Sequence, residues 1–307
     1  MNLAACGFQK ALTWRPKIPS LSIVVGLMLV FRNQTSYNRF WKGRNSFTVL
    51  LTSIRNLTRS FLCAGHKEGI PLTPAEKADI ERAVRVLIAI PYAVKNLLRS
   101  EWGAAWAPTN PRDPGQSLGT MTPSLHPDYQ NLLPIGLKGH EDEGLGLPLE
   151  LTTFVESFIK RGYDRGWFHA PQASQLGVQV NTMVDAYGQL ETIRITPVPI
   201  AYIIHLKQVL ALFGCILPFA MLNEMGWWSV PIVALVVFTL YGIEGIGSQL
   251  EDPFGYDRND INLDAIVEDA RTEILVMLDE WKRTNRTGHE RAEMFIQGAV
   301  PLLPVLD

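Results

Sequence analysis

IPSLSIVVGLMLVFRNQTSYNRFWKGRN, residues 18–45, carries no charge as far as Phe31 and then takes on Arg32, Arg39, Lys42 and Arg44. Up to Phe31 its only helix-disfavouring residue after Pro19 is Gly26, so the pattern predicts one helix running from a dry environment into water. Ile23, Leu27 and Phe31 recur at i, i+4 and i+8 and therefore share one face. That face either packs on a neighbouring helix or lines a passage. A soluble protein has little use for such a helix; one that crosses or lines a membrane passage does.

The rest of the apolar mass is concentrated further on. Residues 208–223 carry no charge, and neither do residues 226–243. The second run approaches the roughly 20 residues that cross a ~30 Å hydrocarbon core. The first reaches that length by taking in His205 and Lys207. Trp227 and Trp228 beside Glu224 suit an interfacial turn. We read 199–222 and 226–249 as a transmembrane hairpin; the alternative is a pair of buried helices in a large soluble core. His205 and Lys207 then face a pore, face the protein interior, or reach back to the interface. Glu244 is pore-adjacent or pairs with another subunit.

Composition narrows the function classes. The 30 acidic and 28 basic residues give a net charge of −2 with both signs spread along the chain, so no basic field points to nucleic acid. Cys6, Cys63 and Cys215 are odd in number and lack metal-ligand spacing. The N-terminal MNLAACGFQKALTWRPK is amphipathic and does not read as a secretory signal. No GxSxG, P-loop, GxGxxG or HExxH pattern supplies a catalytic constellation, so no enzyme is expected. Asn33, Asn56 and Asn285 stand in sequons by chance, since their segments read as helix or as cytosolic face.

Between these runs the chain reads as water-soluble helix. Thr73, Pro74 and Glu76 form a start signal, followed by a buried stripe at Ile80, Val84, Leu87 and Ile88. Residues 103–146 turn to Pro, Gly, Ser and Asn without periodicity and are expected to form a long, mobile surface loop. Its Glu141-Asp142-Glu143 reads as a solvated charge run. Helices are expected at 149–161, 175–195 and 262–283, the last with Ile266, Ala270, Ile274, Leu278 and Trp281 along one side. Strands are hardly signalled, so the fold class is mainly α: a multi-pass membrane helical protein with a large helical soluble part.

At this point three ordered blocks carry a resemblance. FRNQTSYNRFWKGRNSF (31–47), TPVPIAY (196–202) and GSQLEDPFGYDRNDINLD (247–264) resemble the bestrophin family of chloride channels. The likeness runs from about residue 19 to about residue 278, leaving 103–146 without a counterpart. It implies one bestrophin-like unit over 1–307. Within it lie a pore and neck helix with its extension at 18–60, cytosolic helices at 61–195, the hairpin at 196–250, and an acidic loop and helix at 251–307. It also implies a complete membrane helix before the neck. The segment ahead of residue 18 is too short for one, so that first span is expected to be absent from this chain.

The resemblance implies a homopentamer around a central pore whose neck is three apolar rings, matched here by Ile23, Leu27 and Phe31. A second constriction in the cytosolic part falls on Pro171 or Gln172, where a ring of Gln172 would relax the exclusion of hydrated ions. In animal members a loop after the last membrane helix clasps Ca²⁺, together with the extreme N-terminus. Asp257 and Asp260 fall on its side-chain ligands, and Gln249 and Asp252 on its backbone ligands. The acidic block suits Ca²⁺ through its oxygen donors. Alternatively, EDPFG and Asp260 cap and brace a sharp turn into the last helix, with Asp260, three residues before Leu263, as its cap. Arg32, Arg39, Arg44, Arg55 and Arg59 read as a basic collar that orients the protein or gathers anions, or as intersubunit ion pairs. The expected function is passive passage of chloride or another small anion through a membrane, with lipid and further copies of the chain as partners and no required cofactor. A cation-conducting relative and a non-conducting membrane scaffold are the alternatives.

Overall fold

The computed structural model describes residues 18–64, 72–99, 127–129, 131–134 and 145–285, and all its regular elements are helical. The α-helices are α1 (Ile18–Leu62), α2 (Pro74–Leu98), α3 (Leu147–Asp164), α4 (Ala170–Ile195), α5 (Ile200–Met225), α6 (Ser229–Gln249) and α7 (Leu263–Thr284). Single 3₁₀ turns occur at Pro127–Tyr129 and Gly226–Trp228. The residues form two compact units. One comprises the chain up to Ser46 with Gln189–Ile261; the other comprises Phe47–Gly188 with the chain from Asn262 on.

In the first unit, α5 packs on α6 as a hairpin. Ile200–Leu222 and Gly226–Gln249 are each long and apolar enough to cross a membrane, yet only 22% and 17% of their apolar windows are buried. Phe219, Leu235 and Phe238 stand exposed along them. Paired core helices of a soluble protein would hide these side chains, so the soluble-core alternative fails. The hairpin turns at Gly226, whose φ of 52° lies in the left-handed region that glycine enters without steric cost. Trp227 and Trp228 project from that turn. The core of the unit joins Val25 and Leu29 of α1 to Leu206, Leu210, Phe213 and Leu217 of α5 and Val233 of α6.

In the second unit, α2 packs on α3 and on α7. The start of α2 is the expected capping box: Thr73 Oγ1 accepts from the Glu76 amide, and the Thr73 amide donates to Glu76 Oε2 at 2.8 Å. Ile80, Val84, Leu87 and Ile88 are buried as the period requires. The lower part of α1 contributes Phe47, Leu50, Ile54, Leu57 and Phe61, all wholly buried at alternating spacings of three and four. Phe61 meets Phe158 of α3 with ring centroids 4.5 Å apart. Along α7 the buried side holds Leu263, Val267, Ala270, Ile274, Leu278 and Trp281, while Ile266 is half-buried, so Val267 takes the place expected of Ile266.

Two local expectations change. The described part of 103–146 is not all surface: Tyr129 is wholly buried and its hydroxyl accepts from Asn96 Nδ2 at 3.0 Å. The Glu141-Asp142-Glu143 run and residues 1–17 lie outside the described residues. The cap of α7 is Asn262, whose side chain accepts from the Ala265 amide at 3.2 Å; Asp260 does not serve there.

Candidate functional site

The stripe on α1 is the centre of the site. Ile23, Leu27 and Phe31 keep 69%, 53% and 59% of their surface exposed, so nothing among the described residues covers them. Two residues further along the helix, Val25 and Leu29 are buried. A two-residue step turns about 200° round a helix, so the stripe faces away from the side on which α1 is held against the hairpin. The neighbouring helices of the same chain are thus not what the stripe packs on.

Below Phe31 the same helix is fixed by polar side chains. Arg32 is wholly buried, and its Nη2 donates to Glu251 Oε2 at 2.5 Å and its Nη1 to Ser36 Oγ at 3.3 Å. Its Nε finds no hydrogen-bond partner among the described residues. Asn33 Nδ2 donates to the carbonyls of Leu29 and Ile243, at 3.0 and 3.3 Å. Arg39 donates to three carbonyls: Glu251 through Nε at 3.1 Å, Thr196 through Nη1 at 2.6 Å and Ile193 through Nη2 at 2.6 Å. Ile193 and Thr196 stand at the C-terminal end of α4, where carbonyls lack helical partners and the helix dipole is negative. One guanidinium therefore satisfies a helix end and ties it to α1. These two arginines leave the basic collar that the sequence suggests: they are internal anchors. Close backbone approach completes the joint. A Cβ on Gly43 would lie 2.9 Å from Phe254 Cζ, and one on Gly247 would lie 3.2 Å from Asn33 Oδ1.

Within the hairpin, Lys207 of α5 and Glu244 of α6 come together, Nζ to Oε1 at 3.8 Å. Glu244 is buried while Lys207 is half-exposed. His205 is exposed. The pairing assigns Glu244 a partner within its own chain, which the sequence left open between pore and neighbour.

The acidic loop after α6 is folded on itself. Asp260 Oδ2 accepts from the Asp257 amide at 2.8 Å and would lie 2.7 Å from a Cβ on Gly255. Asp252 Oδ1 accepts from the Phe254 amide at 3.4 Å, Gln249 Oε1 accepts from Asn259 Nδ2 at 2.9 Å, and the Ile261 amide returns to the Pro253 carbonyl. Among the described residues no group of three or more His, Cys, Asp and Glu side chains is arranged to hold a metal ion. In this arrangement the side chains of Gln249, Asp252 and Asp260 and the backbone amide of Asp257 all take part in bracing the turn. In the second unit, Pro171 and Gln172 are exposed in the first turn of α4, three residues past the buried Phe168.

Sequence reasoning missed Glu251 as the partner of Arg32, 219 residues away, because no local period encodes such a pair. It also missed a polar network in the second unit. Lys95 Nζ donates to Asp128 Oδ2 at 2.9 Å and to Asp264 Oδ1 at 3.1 Å, and Arg99 Nη1 reaches Asp264 Oδ2 at 2.7 Å. Burial alone would lower the Lys95 ammonium, but these carboxylates outweigh it and hold the group above its ordinary range. Tyr92 donates to Glu268 Oε2 at 2.5 Å, and burial with that carboxylate pushes its hydroxyl up to about 12.

Known proteins bear on this geometry. The family profile described as "Bacterial/Fungal Bestrophin protein" matches residues 5–276. A voltage-dependent anion channel-forming protein of Synechocystis sp. is 35% identical over 263 residues, 85% of this chain and 77% of its own. One from Nostoc sp. is 34% identical over 253 residues, 82% of this chain and 74% of its own. Among solved structures, a bacterial bestrophin homologue from Klebsiella pneumoniae superposes with a TM-score of 0.68 at 24% identity, covering 86% of this chain and 87% of that one.

Proposed function

The chain belongs to the bacterial and fungal bestrophin family, is a membrane protein, and on that premise we propose that it forms the wall of an anion-conducting pore. Copies of the chain surround one axis as a homopentamer and pass chloride or another small anion down its gradient. The observation that carries this reading is the uncovered stripe of Ile23, Leu27 and Phe31 on a helix whose opposite side is buried. A ring of identical chains covers such a stripe with itself and turns it into three stacked apolar rings. Relatives that bear the name of anion channel-forming proteins support the sign of the ion.

The physics of the rings agrees with that use. A narrow apolar passage dewets and so can close without a plug. Chloride gives up its water more readily than small hard cations do, and the edge of a phenyl ring at Phe31 is electropositive. Pro171 or Gln172 supplies a second ring; at Gln172 an exposed amide would offer N–H donors to a passing anion. Passage involves no covalent step.

Reconstitution into planar bilayers under a potassium chloride gradient tests the proposal. The expected reversal potential lies near the chloride equilibrium value, and native mass spectrometry of the same preparation is expected to give five chains. A reversal near the potassium value means a cation channel. An intact pentamer without current means a scaffold. Either result ends the anion-channel reading.

A further inference from the structure

A cluster in the second unit has no part in that pore reading. Asp79 of α2 is buried, and two guanidinium groups from the end of α3 close on its single carboxylate. Arg161 donates through Nε at 3.3 Å and Nη2 at 2.9 Å, and Arg165 through Nη1 at 2.7 Å. Arg82, three residues after Asp79 and so on the same helical face, lines the same cleft of about 640 Å³. Arg82 is exposed and makes no hydrogen bond or ion pair among the described residues.

Bracing α2 against α3 explains Arg161 and Arg165 but not Arg82. One carboxylate leaves two positive charges uncompensated across three guanidinium groups. Each such group carries five N–H donors; Arg161 uses two on Asp79 and Arg165 one, and Arg82 uses none. Two of the groups are also held in place. Arg165 lies over the Trp167 ring at 4.8 Å and Arg161 near the Phe158 ring at 5.9 Å, which lowers the ordering cost of binding. Ala78 and Phe154 also line the cleft. Planar donor forks with surplus positive charge in a cleft larger than one phosphate are suited to an oxyanion with several acceptor oxygens. We propose that this cleft binds a soluble phosphate-type anion, with diphosphate fitting it better than phosphate.

Isothermal titration of the purified full-length protein with sodium diphosphate and with sodium phosphate, at constant ionic strength set by sodium chloride, tests the site. The wild type is expected to bind diphosphate saturably and more tightly than phosphate. Arg82→Ala is expected to weaken diphosphate binding by about tenfold or more, while Arg82→Lys, which keeps the charge but loses the planar fork, is expected to fall between Arg82→Ala and the wild type. Because Arg82 has no partner in the described structure, both variants are expected to melt at the wild-type temperature. Absence of saturable diphosphate binding up to about 10 mM, or equal affinity in Arg82→Ala, overturns the proposal. Neither result touches the pore reading, which is tested by current.

Discussion

Phe31 is the widest member of the stripe and sits one residue before the buried Arg32, so its position is held by an ion pair about 100° round the helix. Phe31→Ala shrinks the ring without disturbing that anchor. If the stripe gates by dewetting, the variant is expected to raise open probability in bilayers, about tenfold for each ~1.4 kcal/mol removed from the closed state; unchanged current removes the neck assignment. Gly43 tests the joint beneath it. A methyl group there gains about 1 kcal/mol of helix propensity but meets the wholly buried Phe254 ring at 2.9 Å, an overlap that costs about 1–3 kcal/mol. Gly43→Ala is therefore expected to lower the melting temperature of the purified protein. An increase would mean that the ring gives way freely.

At the scale of elements, the soluble unit is held together by carboxylates that carry their charge more readily when folded. Burial works against Asp79, Glu81 and Asp264, but hydrogen bonds from Arg161 and Arg165, from Lys282 and Arg85, and from Arg99 and Lys95 prevail and hold all three below their ordinary values. A depressed pKa stabilises the fold above the unfolded value and is lost as pH falls through it. The melting temperature is thus expected to be flat from about pH 8 to about pH 5 and to fall below about pH 4, as followed by circular dichroism; a flat profile to about pH 3 would refute these pairs as stabilising. The helices themselves were legible in the sequence because period and caps are local: the Thr73 box and the Ile80–Ile88 stripe stand where they were read. The start of α7 was misread because Asp260 and Asn262 are equally good caps by type, and only the fold turns Asp260 back onto Asp257. Tyr129 was hidden for a different reason. A stretch rich in Pro, Gly and Ser reads as loop on average, and one aromatic anchor bonded to Asn96 does not alter an average.

For the whole molecule, the sequence carried the membrane hairpin and the family through apolar run length and motif order. It could not supply the internal use of Arg32 and Arg39, since a basic residue after an apolar run looks the same whether it faces water or donates to a carboxylate or carbonyls within the fold. The stripe on α1 was visible as a period, but its exposure is a property of the folded chain alone. The turn at Gly226 has a consequence of another kind. Trp227 and Trp228 are the two most accessible indoles at the tip of the hairpin, 91% and 71% exposed, and indoles of that kind settle at the headgroup level of a bilayer. They make the protein its own optical depth marker: lipids brominated high on their acyl chains are expected to quench its fluorescence more than lipids brominated near the chain ends, and Trp227→Phe with Trp228→Phe should remove most of that difference.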